Sequence, residues 1–226
     1  MPAVHLHSQS RILAGWIHGA EAERAGILFI HGLHSTQAGY AGRAVAAVDR
    51  LGAVCLTFDL GGHGASDGVE GGLSIRDHLD DATAAYDRLV AERDVDPARI
   101  GVAGASYGAY LAALLTERRP VARLALRAPA LYPDPELDAP PARRTPADRP
   151  PPATSSALDA LRRFDRPVLI VESGNDDAIS PATIPLYRES CPAAEHVLIA
   201  EAEHELKRPE WRRDFLNALL DFFDKL

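Results

Sequence analysis

Short, continuous apolar runs recur along this chain, each ending in glycine or a polar loop. "AGILFIHG", the apolar stretch of "AVCLTFDLGGHG", "RIGVAG", "VARLALRAP", "PVLIVESG" and "EHVLIAEAEH" all have this form. Runs of this length without polar alternation predict strands covered on both faces. Ahead of them "RILAGWIHG" alternates roughly, which predicts an early strand. Helical patterns fall between the runs. Residues 38–50 are alanine-rich. The segment from Ser74 to Arg93 opens with a capping-box-like pair, Ser74 and Asp77. Its apolar residues Ile75, Leu79, Ala82, Tyr86 and Leu89 step by four and three, making one helical stripe. A last helix is expected from Pro209 to Phe223, with proline in its first turn and Trp211, Phe215, Leu219 and Phe222 on its buried face. Strands alternating with helices predict the α/β class: a mostly parallel sheet covered on both sides, a three-layer α/β/α sandwich.

One stretch breaks the alternation. "PDPELDAPPARRTPADRPPP", Pro133 to Pro152, is proline-dense and poor in apolar residues, so it reads as a loop. It is either a solvated excursion or a small flap over a site. With one short helix expected from Ser155 to Arg163, it forms an insertion at about 130–164 in what reads as a single domain, 1–226.

Composition narrows the partners. A net charge of −8 over 226 residues, with scattered Lys and Arg, speaks against nucleic acid. Two distant cysteines, Cys55 and Cys191, in no metal-like spacing read as reduced thiols. "MPAVHLHSQS" lacks the basic and apolar regions of a secretory leader, and no apolar stretch approaches a bilayer span. The expectation is a cytoplasmic protein without membrane partners. No apolar stripe is left over from which to read an oligomeric state.

The candidate chemistry starts at "GASYG", where Ser106 stands between Gly104 and Gly108 at a strand-to-helix junction. A strand turning sharply into a helix needs small neighbours around its corner residue, and presents that corner at a helix N-terminus. A serine hydroxyl is a weak nucleophile until a base, oriented by an acid, takes its proton. Later strand ends supply both: Asp176 and Asp177 in "ESGNDDAISP", and His204 in "EAEHEL". The resulting order, Ser then Asp then His, is one of three unrelated orders in which such a triad is built.

"FIHGLHS", "DLGGHGASDG", "GASYG" and "SGNDDAISP" with "AEHE" together resemble the α/β-hydrolase-fold serine hydrolases, over nearly the whole chain. The resemblance implies a minimal cap and cleavage of a carboxylic ester or related acyl bond in a small-molecule substrate, without cofactor. Peptidase, aminopeptidase or thioesterase activity, or a non-catalytic binding protein, are the alternatives on the same fold. Ser106 is the implied nucleophile and His204 the implied base. The family's acid register fits Gly174, Asp177, Ile179 and Pro181, which selects Asp177; its neighbour Asp176 is the alternative, with helix capping as its other role. The oxyanion hole falls to the backbone N–H groups of Leu33 and Tyr107. His34 and the rings of Tyr40, Tyr107 and Tyr132 are candidate pocket lining. His31 and His63 read as loop-ordering residues, and His5, His7 and His18 as a solvent-facing strand set. Asp59 and Asp67 read as loop-ordering acids. No metal site is expected.

Overall fold

The computed structural model describes residues 2–19, 24–142, 150–152 and 154–226. Its strands are β1 (Ala3–Ser8), β2 (Arg11–His18), β3 (Arg24–Ile30), β4 (Val54–Phe58), β5 (Val95–Ala105), β6 (Arg123–Arg127), β7 (Val168–Ser173) and β8 (Glu195–Ile199). They form one sheet in the order β1-β2-β4-β3-β5-β6-β7-β8. β1 pairs antiparallel with β2, and β2 with β4. The remaining pairs, from β4 through β8, are parallel. The sequence pattern therefore gave the parallel body and one early strand, and the structure adds β1 as its antiparallel hairpin partner. β1 escapes the buried-run pattern because its His5 and His7 face solvent while Leu6 and Ser8 are buried.

Among the described residues six helices cover this sheet: α1 (Ala38–Leu51), α2 (Ile75–Val90), α3 (Tyr107–Leu115), α4 (Ser156–Arg163), α5 (Thr183–Ser190) and α6 (Pro209–Phe223). Alternate strand residues point into two separate cores. Leu28, Ile30, Val102, Leu124, Leu126 and Ile170 join α2, α3, α4 and α5 on one face. Ile27, Phe29, Ala103, Ala125, Leu169 and Val171 join α1 and α6 on the other. Both faces of the central strands are thus dry, which is why those strands read as unbroken apolar runs.

The helix expectations hold in detail. Ser74 caps α2, its side chain accepting from the Asp77 N–H while the Asp77 carboxylate accepts from the Ser74 N–H. All five stripe residues of α2 are buried. Trp211, Phe215, Leu219 and Phe222 of α6 are buried too, each worth about 1.5–3 kcal/mol relative to exposure. α3 is buried at every position, as a helix apolar on all sides must be. α5 was not visible in the sequence, because Pro185 and polar residues interrupt its short stripe.

Two sequence readings change. His18 is not on a solvent-facing set: it is buried, with Nε2 3.0 Å from Thr57 Oγ1. The proline-dense stretch contains a short 3-10 helix, Asp134–Glu136, and residues 143–149 and 153 of the expected insertion lie outside the described residues. Both cysteines are buried and unbridged, and burial raises the Cys191 thiol to about 11. No described helix is long and apolar enough to cross a membrane.

Candidate active site

The strand ends converge on one crevice, where ligands bind in open α/β sheets. β5 ends at Ala105 and α3 begins at Tyr107, so Ser106 alone makes the corner. It takes φ 54° and ψ −119°, a region that costs a non-glycine residue about 1–3 kcal/mol. Backbone bonds hold it there: its N–H donates to the Arg127 carbonyl at 2.9 Å, and its carbonyl accepts from the Ala130 N–H at 3.1 Å.

The flanking glycines are required by contact. A Cβ on Gly104 would strike the Gly108 carbonyl, and one on Gly108 would strike the carbonyl oxygens of Ile30 and His31. These obstacles are backbone and cannot yield. We expect Gly108→Ala to cost about 3 kcal/mol or more, read as a fall in the urea midpoint. An unchanged midpoint would show that this corner is less crowded than described.

His204 follows β8, and Asp176 follows β7. The carboxylate oxygens of Asp176 lie 3.0 and 2.9 Å from His204 Nδ1. One of those oxygens also accepts from the N–H groups of Ala178 and Ile179, at 2.9 and 2.7 Å. Burial pushes the Asp176 carboxyl up, but the His204 hydrogen bond, the His204 charge and the two N–H groups outweigh it, and its pKa ends below the usual value. Asp177, selected from sequence register, points elsewhere. It is exposed on the cavity rim, where its charge acts on Lys207. The correction has a backbone cause. The Gly174 N–H donates to the Ile199 carbonyl at 3.0 Å and the Asn175 N–H to the Ala202 carbonyl at 2.9 Å. These bonds tie the two loops together and aim Asp176 at His204, so its neighbour faces water.

Ser106 and His204 line one cavity of about 940 Å³. No hydrogen bond joins their side chains among the described residues, and such bonds commonly tighten only once substrate is bound. The N–H groups of Leu33 and Tyr107 have no partner among the described residues, and Leu33 lines the same cavity. His34, Tyr40 and Tyr132 line it as well. The Tyr107 ring does not: it is buried beneath the elbow, with Oη 2.9 Å from His78 Nδ1. Pro150, Pro151 and Pro152, at the end of the proline-dense stretch, border the cavity. Sequence reading missed Arg43 and Arg127, which also line it. A second depression of about 820 Å³, beside Arg99, Glu117 and Arg163, contains none of these groups.

The neighbouring loops are set by buried histidines and by acids. His31 Nε2 accepts from the Leu60 N–H at 3.0 Å, so Nδ1 carries the proton that bonds the Gly32 carbonyl at 2.7 Å. Asp59 accepts from the N–H groups of Gln37 and Ala65, and Asp67 from that of Ile12. Burial lowers the His31 pKa to about 4, against weaker upward pulls from the Gly32 carbonyl and Asp59. An unfolded histidine titrates near 6.5. From about pH 6.5 down to about 4, therefore, the unfolded chain binds the extra proton and stability falls with acidification. For His31 the loss is up to about 1.4 kcal/mol per pH unit. His18 and His78, also lowered chiefly by burial, act in the same direction. The thermal midpoint should be lower at pH 5 than at pH 7, and a midpoint that rises on acidification would contradict this reading.

Residues 21–149 match the family model described as serine aminopeptidase, S33. The chain belongs to that family of α/β hydrolases. The uncharacterized protein Rv2307c of Mycobacterium tuberculosis (strain H37Rv) is 34% identical over 180 residues, covering 76% of this chain. This chain spans only 60% of that relative's length. Among solved structures, DcsB in complex with its substrate analogue superposes with a TM-score of 0.81 at 16% identity, covering 99% of this chain and 98% of DcsB. Est1E from Butyrivibrio proteoclasticus, with ferulic acid bound, gives 0.75 at 18% identity, covering 99% and 98%. At these identities the likeness carries the fold alone. Among the described residues of this α/β hydrolase, no group of three or more His, Cys, Asp or Glu side chains could hold a metal ion.

Proposed function

We propose that this α/β hydrolase is a serine hydrolase that cleaves a carboxylic ester or related acyl bond in a small molecule. The observation that carries the reading is the strained Ser106 corner opening into the same cavity as His204, whose Nδ1 is held by Asp176. With Nδ1–H donated to Asp176, the Nε2 lone pair of His204 is the base. It takes the Ser106 proton as Oγ adds to the carbonyl carbon, then returns it to the leaving group. The oxyanion is received by the Tyr107 N–H at the α3 N-terminus and the Leu33 N–H of the loop after β3. Water, deprotonated by His204, then releases the acid from the acyl-enzyme. No cofactor enters any step.

Peptide-bond cleavage is the second reading, favoured by the family to which the chain belongs. A panel of 4-nitrophenyl esters, acyl thioesters and aminoacyl amides separates the two. The proposal expects the highest kcat/KM on esters. Turnover of aminoacyl amides alone would transfer the same machinery to a peptidase.

A further inference from the structure

The cavity contains a second cluster that acyl transfer does not use. Tyr40, Arg43 and Arg127 line it together with Ser106. Three of their polar atoms, Tyr40 Oη, Arg43 Nε and Arg127 Nε, are buried without a hydrogen-bond partner among the described residues. The partners the two guanidinium groups do have are uncharged. Arg43 donates through Nη1 to the Gly39 carbonyl at 2.6 Å, and lies over the rings of Phe215 and Tyr40 at 4.9 and 5.5 Å. Arg127 Nη2 donates to Ser173 Oγ at 3.0 Å, to the Glu203 carbonyl at 3.3 Å and to the His204 carbonyl.

Neither guanidinium forms an ion pair among the described residues. Burial works against both cations, and the Arg43 charge works further against Arg127. Asp176 acts on Arg127 from a distance, but its oxygens are engaged by His204 and two backbone N–H groups. On the cavity rim the signs balance: Asp177 and Glu205 stand with Lys207 and Arg212. Among the described lining residues the interior carries a positive surplus, in a chain whose net charge is −8. Desolvated cations without counter-charge are costly, so such a site favours an anion bound from outside the protein.

We propose that the cavity takes a substrate whose acyl part bears a carboxylate, held between Arg43 and Arg127 with Tyr40 Oη as a third donor. Three unpartnered donors suit the two oxygens of a carboxylate. The hydrolysis of such a substrate rests on the serine hydrolase reading; the binding of the anion does not.

The test compares 4-nitrophenyl hydrogen glutarate with 4-nitrophenyl pentanoate, esters of equal acyl carbon count. The wild-type protein should favour the glutarate by about tenfold or more in kcat/KM, as charge-assisted hydrogen bonds predict. Arg43→Gln should collapse that preference mainly through KM, and Arg43→Lys should restore part of it. An equal or greater rate on the pentanoate, unaltered by Arg43→Gln, would overturn the proposal. Calorimetric titration of monomethyl glutarate into the Ser106→Ala protein gives a readout independent of turnover. Binding that Arg43→Gln weakens about tenfold supports the anion site even if neither ester is hydrolysed, in which case the serine hydrolase reading alone fails. Absent binding overturns the site, and tighter binding of methyl phosphate overturns its assignment to a carboxylate. Should Arg43→Gln fail to fold, Arg43→Met, which keeps the apolar stem, replaces it in both arms.

Discussion

Ser106→Ala is expected to lower ester turnover by about 10⁴–10⁶-fold while leaving the fold intact. The side chain has no structural bond to lose: its position is fixed by the backbone bonds to Arg127 and Ala130. Ser106→Gly should lose activity equally and gain about 1 kcal/mol of stability, because glycine occupies φ 54° without steric cost. The pair separates chemistry from strain. Turnover near the wild-type rate in purified Ser106→Ala, with contaminating esterase excluded by titration, would remove Ser106 from the mechanism.

The second large effect discriminates between adjacent residues. Asp176→Asn should lower kcat by about 10⁴-fold, because an amide no longer fixes the His204 tautomer that leaves Nε2 free. Asp177→Asn should stay within a few-fold of wild type, since Asp177 is exposed on the rim and makes no bond to His204. The paired measurement is kcat for both variants on one ester. A large loss in Asp177→Asn with a small one in Asp176→Asn would restore the sequence-register choice and contradict the geometry described here.

That choice shows where sequence stops being legible. The parallel sheet was readable because Ile27 to Ile30 and Val102 to Ala103 are buried on both faces, which removes polar residues from the run. The α2 and α6 stripes were readable because their buried positions repeat with the helical period. The elbow was readable because the two glycines around Ser106 meet a steric demand made by local backbone and by the β3 loop. Asp176 against Asp177 was different. The two acids are neighbours of the same type, and the choice between them is made by hydrogen bonds from Gly174 and Asn175 to residues 199–202. Nothing local encodes that long-range tie. Asp176 also accepts the N–H groups of Ala178 and Ile179 within its own turn, and the helix-capping role read for it is not what it does: the N-cap of α5 is Ala182.

The cationic lining illustrates a second limit. Arg43 lies in an alanine-rich helix and Arg127 ends a strand, and each reads as ordinary in its own segment. Their relation exists only because α1 and β6 reach the same cavity from positions far apart in the chain. His18 was misread for the reverse reason. It shares the alternation of an edge hairpin with His5 and His7, but β4 pairs over it and places Thr57 against its ring.

The central claim is that Ser106 is a nucleophile activated by His204, and covalent labelling tests it most directly. The intact protein is treated with a fluorophosphonate and the adduct located by peptide mass spectrometry. The account expects stoichiometric modification of Ser106, slowed by orders of magnitude in His204→Ala and abolished in Ser106→Ala. No modification of the folded wild-type protein, or modification that persists undiminished in Ser106→Ala, would contradict it.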